Sequence, residues 1–140
     1  MTAAPDAQTP GPRSVLVAGG ATGVGRAVVR AFRALGDRVL LADRDADGAA
    51  AVCAEAAAGS ATAFACDLAD PAAPAAAITA AVETHGGLDV VFANAGVLLA
   101  RPLAAWTVAE WDLSMAVNLR APFLLAQAAA PHLRRSGRAA

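Results

Sequence analysis

Val15-Leu16-Val17-Ala18-Gly19-Gly20-Ala21-Thr22-Gly23-Val24-Gly25 is an apolar run that passes straight into a glycine-rich turn, and its reading decides the fold. Ser14 to Ala18 is too short for a helix and is closed by glycines, so it is expected as a buried strand. Gly23 to Leu35 then places Val24, Val28, Phe32 and Leu35 at helical spacing, with Gly36 as the stop signal. Each glycine of the turn has a use: Gly19 turns the chain tightly, Gly23 lets backbone approach an anion, and Gly25 lets the helix pack close to the strand. The free N–H groups between Ala18 and Val24, at the positive helix end, would then cup a diphosphate. On the glycines alone, a solvated surface turn would fit as well.

Working outward, Arg38 to Ala42 reads as a second strand that delivers Asp43 at its carboxyl end, 18 residues after Gly25. A carboxylate in that position can accept hydrogen bonds from both hydroxyls of an adenosine ribose. Taken alone, Asp43 also suits a solvated loop. A 2'-phosphate about 4 Å from it would meet like-charge repulsion on the order of 4 kcal/mol per charge pair at an effective dielectric near 20. That favours NAD over NADP, although Arg44 next door can recruit the same phosphate.

The remaining chain repeats the rhythm. Asp47 to Ala58 is expected as a helix ended by Gly59, Ala61 to Ala65 as a third strand, and Leu88 to Ala93 as a fourth. Between the last two lie the Cys66-Asp67-Leu68 turn and a helix capped by Asp70, with Pro71 at its first position, running to about His85 before Gly86 and Gly87. After the Asn94-Ala95-Gly96 loop, Thr107 and Glu110 have capping-box spacing and open a helical region that bends near Pro122 and ends near Arg135. His85 and His132 are expected to cap backbone carbonyls at helix ends, and Trp106 and Trp111 to cover core. Short β-branched runs alternating with alanine-rich stretches predict βαβ units around a parallel sheet.

Composition bounds the rest. The 140 residues are 57% hydrophobic and 16% charged with a net charge of -1, which fits neither a disordered acidic chain nor a basic nucleic-acid binder. No window offers about 18 uninterrupted apolar residues, so no membrane span is expected. Met1 to Pro12 reads as a disordered tail without the basic start and apolar run of a secretion signal. Cys53 and Cys66 are isolated thiols, spaced neither as a metal knuckle nor as a redox pair, so no metal is expected and a reducing, cytoplasmic setting fits. All eleven basic residues are arginine, and there is neither lysine nor tyrosine. Chemistry that needs a phenol or a primary amine side chain therefore cannot come from these residues.

Four motifs in order resemble the short-chain dehydrogenase/reductase family: Gly19-x-x-x-Gly23-x-Gly25, Asp67-Leu68 after the third strand, Asn94-Ala95-Gly96 after the fourth, and Val117-Asn118-Leu119 in the following helix. The resemblance spans Arg13 to about Arg135. It implies a Rossmann-like, doubly wound α/β fold with strand order 3-2-1-4 and helices on both faces of the sheet. It also implies that Gly19, Thr22, Gly23, Val24, Gly25, Asp43 and Arg44 hold the dinucleotide. Asp67 and Leu68 would contact adenine, Asn94, Ala95 and Gly96 would line the cofactor, and Asn118 would be the helix asparagine of a catalytic tetrad. Asp67 and Asn94 also suit ordinary loop turns, and Asn118 a solvated helix face. One departure is Ala18, where the family usually has threonine.

Members of the family exchange hydride between a nicotinamide cofactor and an alcohol or carbonyl, using a tyrosine acid/base, a lysine four residues on, and a serine. The resemblance thus implies that residues 13–140 are an incomplete NAD(P)-binding domain, truncated before the Tyr-x-x-x-Lys segment and inactive alone. The fourth strand would be an open edge. Leu119, Phe123, Leu124 and Leu133 would form an apolar face for a complementing fragment or a second copy. Three readings stay open: a portion of an oxidoreductase, a stand-alone dinucleotide-binding module, and an interaction protein using its sheet edge.

Overall fold

The computed structural model describes residues 11–55 and 60–138. Strands form where valine, leucine and small apolar residues run uninterrupted: β1 (Ser14–Ala18), β2 (Arg38–Asp43), β3 (Ala61–Ala65) and β4 (Val90–Ala93). They make one parallel sheet in the order β3-β2-β1-β4. Central β1 is buried along its whole length, as a strand covered on both faces must be.

Alternation along the strands divides the core into two layers. Leu16, Ala18, Leu40 and Ala42 pack with Ala77, Ile78 and Ala81 of α3 (Ala73–His85) and with Leu125 and Ala129 of α5 (Ala121–Ser136). Val15, Val17, Val39 and Leu41 pack with Val29 of α1 (Gly23–Ala34) and with Ala49 and Val52 of α2 (Ala46–Ala54). Helices therefore cover both faces, and each fully buried valine or leucine contributes about 1.5–3 kcal/mol by leaving water. Between α4 (Val108–Met115) and α5 the helical path is interrupted by a π-helical turn, Ala116–Arg120.

Several local expectations need correction. In α1 the inward face is Gly25 and Val29, with Val28 and Phe32 packed beside them, while Val24 and Leu35 are exposed. The expected stripe was offset because glycine carries no hydrophobic signal yet faces the sheet. Helix α3 begins at Ala73: the Asp70 carboxylate accepts from Ala72 N–H in a preceding turn, and Pro74, not Pro71, occupies the first helical positions. Helix α2 ends at Ala54, and the expected continuation to Ala58 and Gly59 lies outside the described residues, as does most of the expected N-terminal tail. The Thr107–Glu110 capping box is present in both directions, and the break in α-helical bonding falls just before Pro122. Trp111 is exposed and Trp106 half-buried, its indole N–H donating to the Arg101 carbonyl. His85 caps no carbonyl with Nδ1; that nitrogen bonds the Ser14 hydroxyl at 2.9 Å inside the base of the sheet. His132 pairs through Nδ1 with Arg135.

Candidate dinucleotide-binding cleft

The register sets Ala18, Ala42 and Ala93 level across the sheet, so the chain leaves β1, β2 and β4 at one rim. The strand order reverses there, because β1 continues to β2 on one side while β4 flanks it on the other. Crevices in open α/β sheets form at such a point, outside the carboxyl ends of the strands. A cleft of about 220 Å³ lies at this rim.

Nine of the residues expected for binding line it: Gly19 and Thr22 from the glycine turn, Asp43 and Arg44 from the end of β2, Asp67 and Leu68 after β3, and Asn94, Ala95 and Gly96 after β4. Gly23, Val24 and Gly25, also expected for binding, are not among its lining residues; they form the first turn of α1 directly after Thr22, with Gly25 buried. Three lining residues were not expected as binding residues: Cys66, Val97 and Val117. Each adjoins a recognised motif, and the level strand ends are what could have brought them in.

The turn is built by close approach. Gly19 has φ +82°, and a Cβ there would meet Ala95 backbone at 2.6 Å. A Cβ on Gly25 would lie 1.9 Å from the Gly19 carbonyl oxygen, so the helix sits on the turn as only glycine allows. At Gly23, by contrast, a Cβ would meet nothing within 4 Å. Asn94 donates its side-chain N–H to the Gly19 carbonyl at 2.7 Å, and the Asn94 and Ala95 amides both donate to the Ala18 carbonyl. This rim uses the backbone of Ala18, so the missing threonine hydroxyl leaves these bonds intact.

Of the amides between Ala18 and Val24 expected to cup a diphosphate, those of Gly19 and Ala21 are instead used within the protein. Gly19 N–H donates to Ala42 O, and Ala21 N–H to Asp43 Oδ2 at 2.9 Å. Among the described residues, the N–H groups of Thr22, Gly23 and Val24 have no acceptor, as the first amides of a helix must unless capped. Uncapped amides at the positive end of α1, glycine with open space beside it, and an acid at the second strand's end fit the diphosphate and ribose of a dinucleotide.

Asn118 sits in the π-helical turn, outside the cleft lining. Its Oδ1 accepts from Val97 N–H and its Nδ2 donates to Val97 O, both at 2.8 Å, with a further bond to Ser114 Oγ. The side chain thus pins the loop that follows β4. Burial, reinforced by the Asp43 and Asp67 charges, pushes the Cys66 thiol up to about 11, so it stays protonated and is no nucleophile at neutral pH. Among the described residues no group of His, Cys, Asp and Glu is placed to hold a metal ion.

The chain is 35% identical over 124 residues to the D-threitol dehydrogenase of Mycolicibacterium smegmatis, covering 87% of this chain and 48% of that protein. A metagenomic short-chain oxidoreductase solved with NADP superposes with a TM-score of 0.85 at 41% identity, over 92% of this chain and 59% of its own. The 3-ketoacyl-(acyl-carrier-protein) reductase of Brucella melitensis, solved with NADH, gives a TM-score of 0.85 at 29% identity, over 91% and 52%. The chain thus spans about half the length of the relatives it matches. The short chain dehydrogenase family model matches residues 13–140, and with the sheet order and the glycine turn in place, the chain belongs to that family.

Proposed function

We propose that residues 13–138 hold a nicotinamide adenine dinucleotide in the cleft, with NAD preferred over NADP, as the cofactor-binding portion of an oxidoreductase. The observation that carries this reading is the set of acceptorless amides from Thr22 to Val24 beside a cleft that also presents Asp43. Those amides would take the diphosphate and Asp43 the adenosine ribose hydroxyls. Asp67 and Leu68 would border the adenine, and Asn94 to Gly96 would form the opposite wall. Asn118 would act as a positioning residue, holding Val97 and the loop before it in place. When bound, the cofactor supplies a hydride donor or acceptor for an alcohol or carbonyl.

The family's acid/base needs a tyrosine and a lysine, and these 140 residues contain neither. Without a matched proton donor, hydride exchange loses a factor of roughly 10²–10⁴, so we expect no measurable alcohol-dependent NAD reduction by the 140-residue chain. Relatives in complex with NADP and with NADH both occur; in this chain the Asp43 charge disfavours a 2'-phosphate, against the pull of the neighbouring Arg44. Calorimetric titration with NADH and NADPH tests the reading: saturable binding of both, tighter for NADH, is expected. No saturable heat with either would refute it, and NADPH binding more tightly would reverse the stated preference. A stand-alone dinucleotide-binding module predicts the same heats, whereas an interaction protein using the edge of β4 predicts no heat with either dinucleotide.

A further inference from the structure

Asp43 lines the cleft, but most of its hydrogen bonds are spent elsewhere. The β1–β2 ladder runs one residue past β1, with Gly19 N–H donating to Ala42 O at 2.7 Å. There the chain turns off the sheet, and the amide of buried Ala21, two residues on, lies beyond the strand pairing. It donates instead to Asp43 Oδ2 at 2.9 Å, so a side chain takes over from the strand as acceptor. The other oxygen, Oδ1, accepts from Asp45 N–H at 3.0 Å at the start of α2. The backbone beneath is fixed too, because Asp43 O accepts from Cys66 N–H at 3.0 Å. The carboxylate is therefore held between the glycine turn and α2, on a base tied to the end of β3.

We propose that Asp43 is the positioning residue of the phosphate loop: its bond to Ala21 N–H sets the turn that presents the Thr22, Gly23 and Val24 amides to a diphosphate. This rests on the dinucleotide reading above. Each carboxylate oxygen has two lone pairs, so one on each remains for a ribose hydroxyl after the backbone bonds are made. Sugar recognition and diphosphate binding then share one group and are coupled.

Charge and position predict opposite signs. Removing a negative group beside an anion site strengthens anion binding if charge alone acts. Removing the group that shapes the site weakens it. The probe is inorganic pyrophosphate, which has the phosphates and no ribose.

In the 140-residue chain, Asp43→Ala and Asp43→Asn are expected to bind pyrophosphate several-fold more weakly than the parent. They are also expected to speed amide hydrogen exchange at Ala21 on the order of tenfold, the factor carried by about 1.4 kcal/mol. Exchange in α3 and α5 stays unchanged, which separates a loosened loop from a failed fold. Asn is expected to do less harm than Ala, since its one amide oxygen still serves one of the two N–H groups. Unchanged exchange at Ala21, or pyrophosphate binding equal to or tighter than the parent's, would overturn the proposal. If the parent binds no NADH, the dinucleotide reading falls, while exchange at Ala21 still decides whether Asp43 holds the loop.

Discussion

Gly25 holds helix and turn together by lacking a side chain, and it is the position where one methyl group should do most damage. Gly25→Ala drives a Cβ into the Gly19 carbonyl, a backbone atom that cannot swing aside. Overpacking of this kind costs about 1–3 kcal/mol, so urea unfolding should show at least that loss, together with weakened NADH binding. An alanine variant of parental stability would mean that α1 is free to shift away from β1. His85 gives a second prediction at this scale. Its burial, and then the Arg38 charge, hold its pKa below the ordinary histidine value. The unfolded chain therefore takes up a proton near pH 6.5 that the folded chain declines, and stability falls as pH drops below that point. Urea midpoints should decline from pH 7.5 to pH 5, and His85→Asn should flatten the decline. An identical slope in the variant would assign the effect to other groups. Sequence alone served this scale unevenly: the roles of Gly19 and Gly25 follow from spacing after a strand, but the bond from Ala21 to Asp43 depends on a register that no local pattern specifies.

At the scale of elements, the strands were the most legible feature, because buried parallel strands are short apolar runs bounded by glycine and acid. The bounds expected for β1 and β3 coincide with those observed, and β2 gains only Asp43. Helix faces were harder to read. In α1 the glycine that faces the sheet left the apolar stripe displaced, and α3 opens at Ala73–Pro74 rather than at the expected Pro71. The π-helical turn had no sequence signal beyond Pro122, which follows it. That turn carries Asn118, whose three side-chain bonds tie it to Val97 and Ser114. Asn118→Ala should cost about 1–2 kcal/mol in urea unfolding, even though alanine is the better helix former by about 0.5 kcal/mol. A more stable variant would show that the bonds to Val97 contribute nothing.

Over the whole molecule, ionic bonds at the base of the sheet make the fold acid-sensitive. Burial alone would raise the Asp37 carboxyl, but the Arg13 guanidinium and backbone N–H outweigh it and leave the pKa lowered. Asp89 is likewise lowered, as burial is outweighed by Ser136, the Ser14 amide and Arg138. Groups with folded values below their unfolded ones contribute stability above about pH 4 and lose it as pH falls through the folded values. A second, steeper decline in urea midpoint is therefore expected below about pH 4, and Asp37→Asn should shrink it. The sheet order was legible in advance only through the family resemblance, which implies 3-2-1-4, the order observed. Of the apolar face expected on the C-terminal helices, Leu119 and Phe123 are exposed, whereas Leu124 is half-buried and Leu133 packs against the core. Among the described residues no helix is long and apolar enough to cross a membrane.

The central claim is that free amides at the start of α1 receive a diphosphate. Amide chemical-shift mapping of the nitrogen-15-labelled chain during an NADH titration tests it most directly. Saturable shifts are expected at Thr22, Gly23 and Val24, accompanied by Asp43 and Ala95, with α1 beyond Val29 little changed. Saturation elsewhere with those three amides unmoved, or no saturation at all, would contradict it.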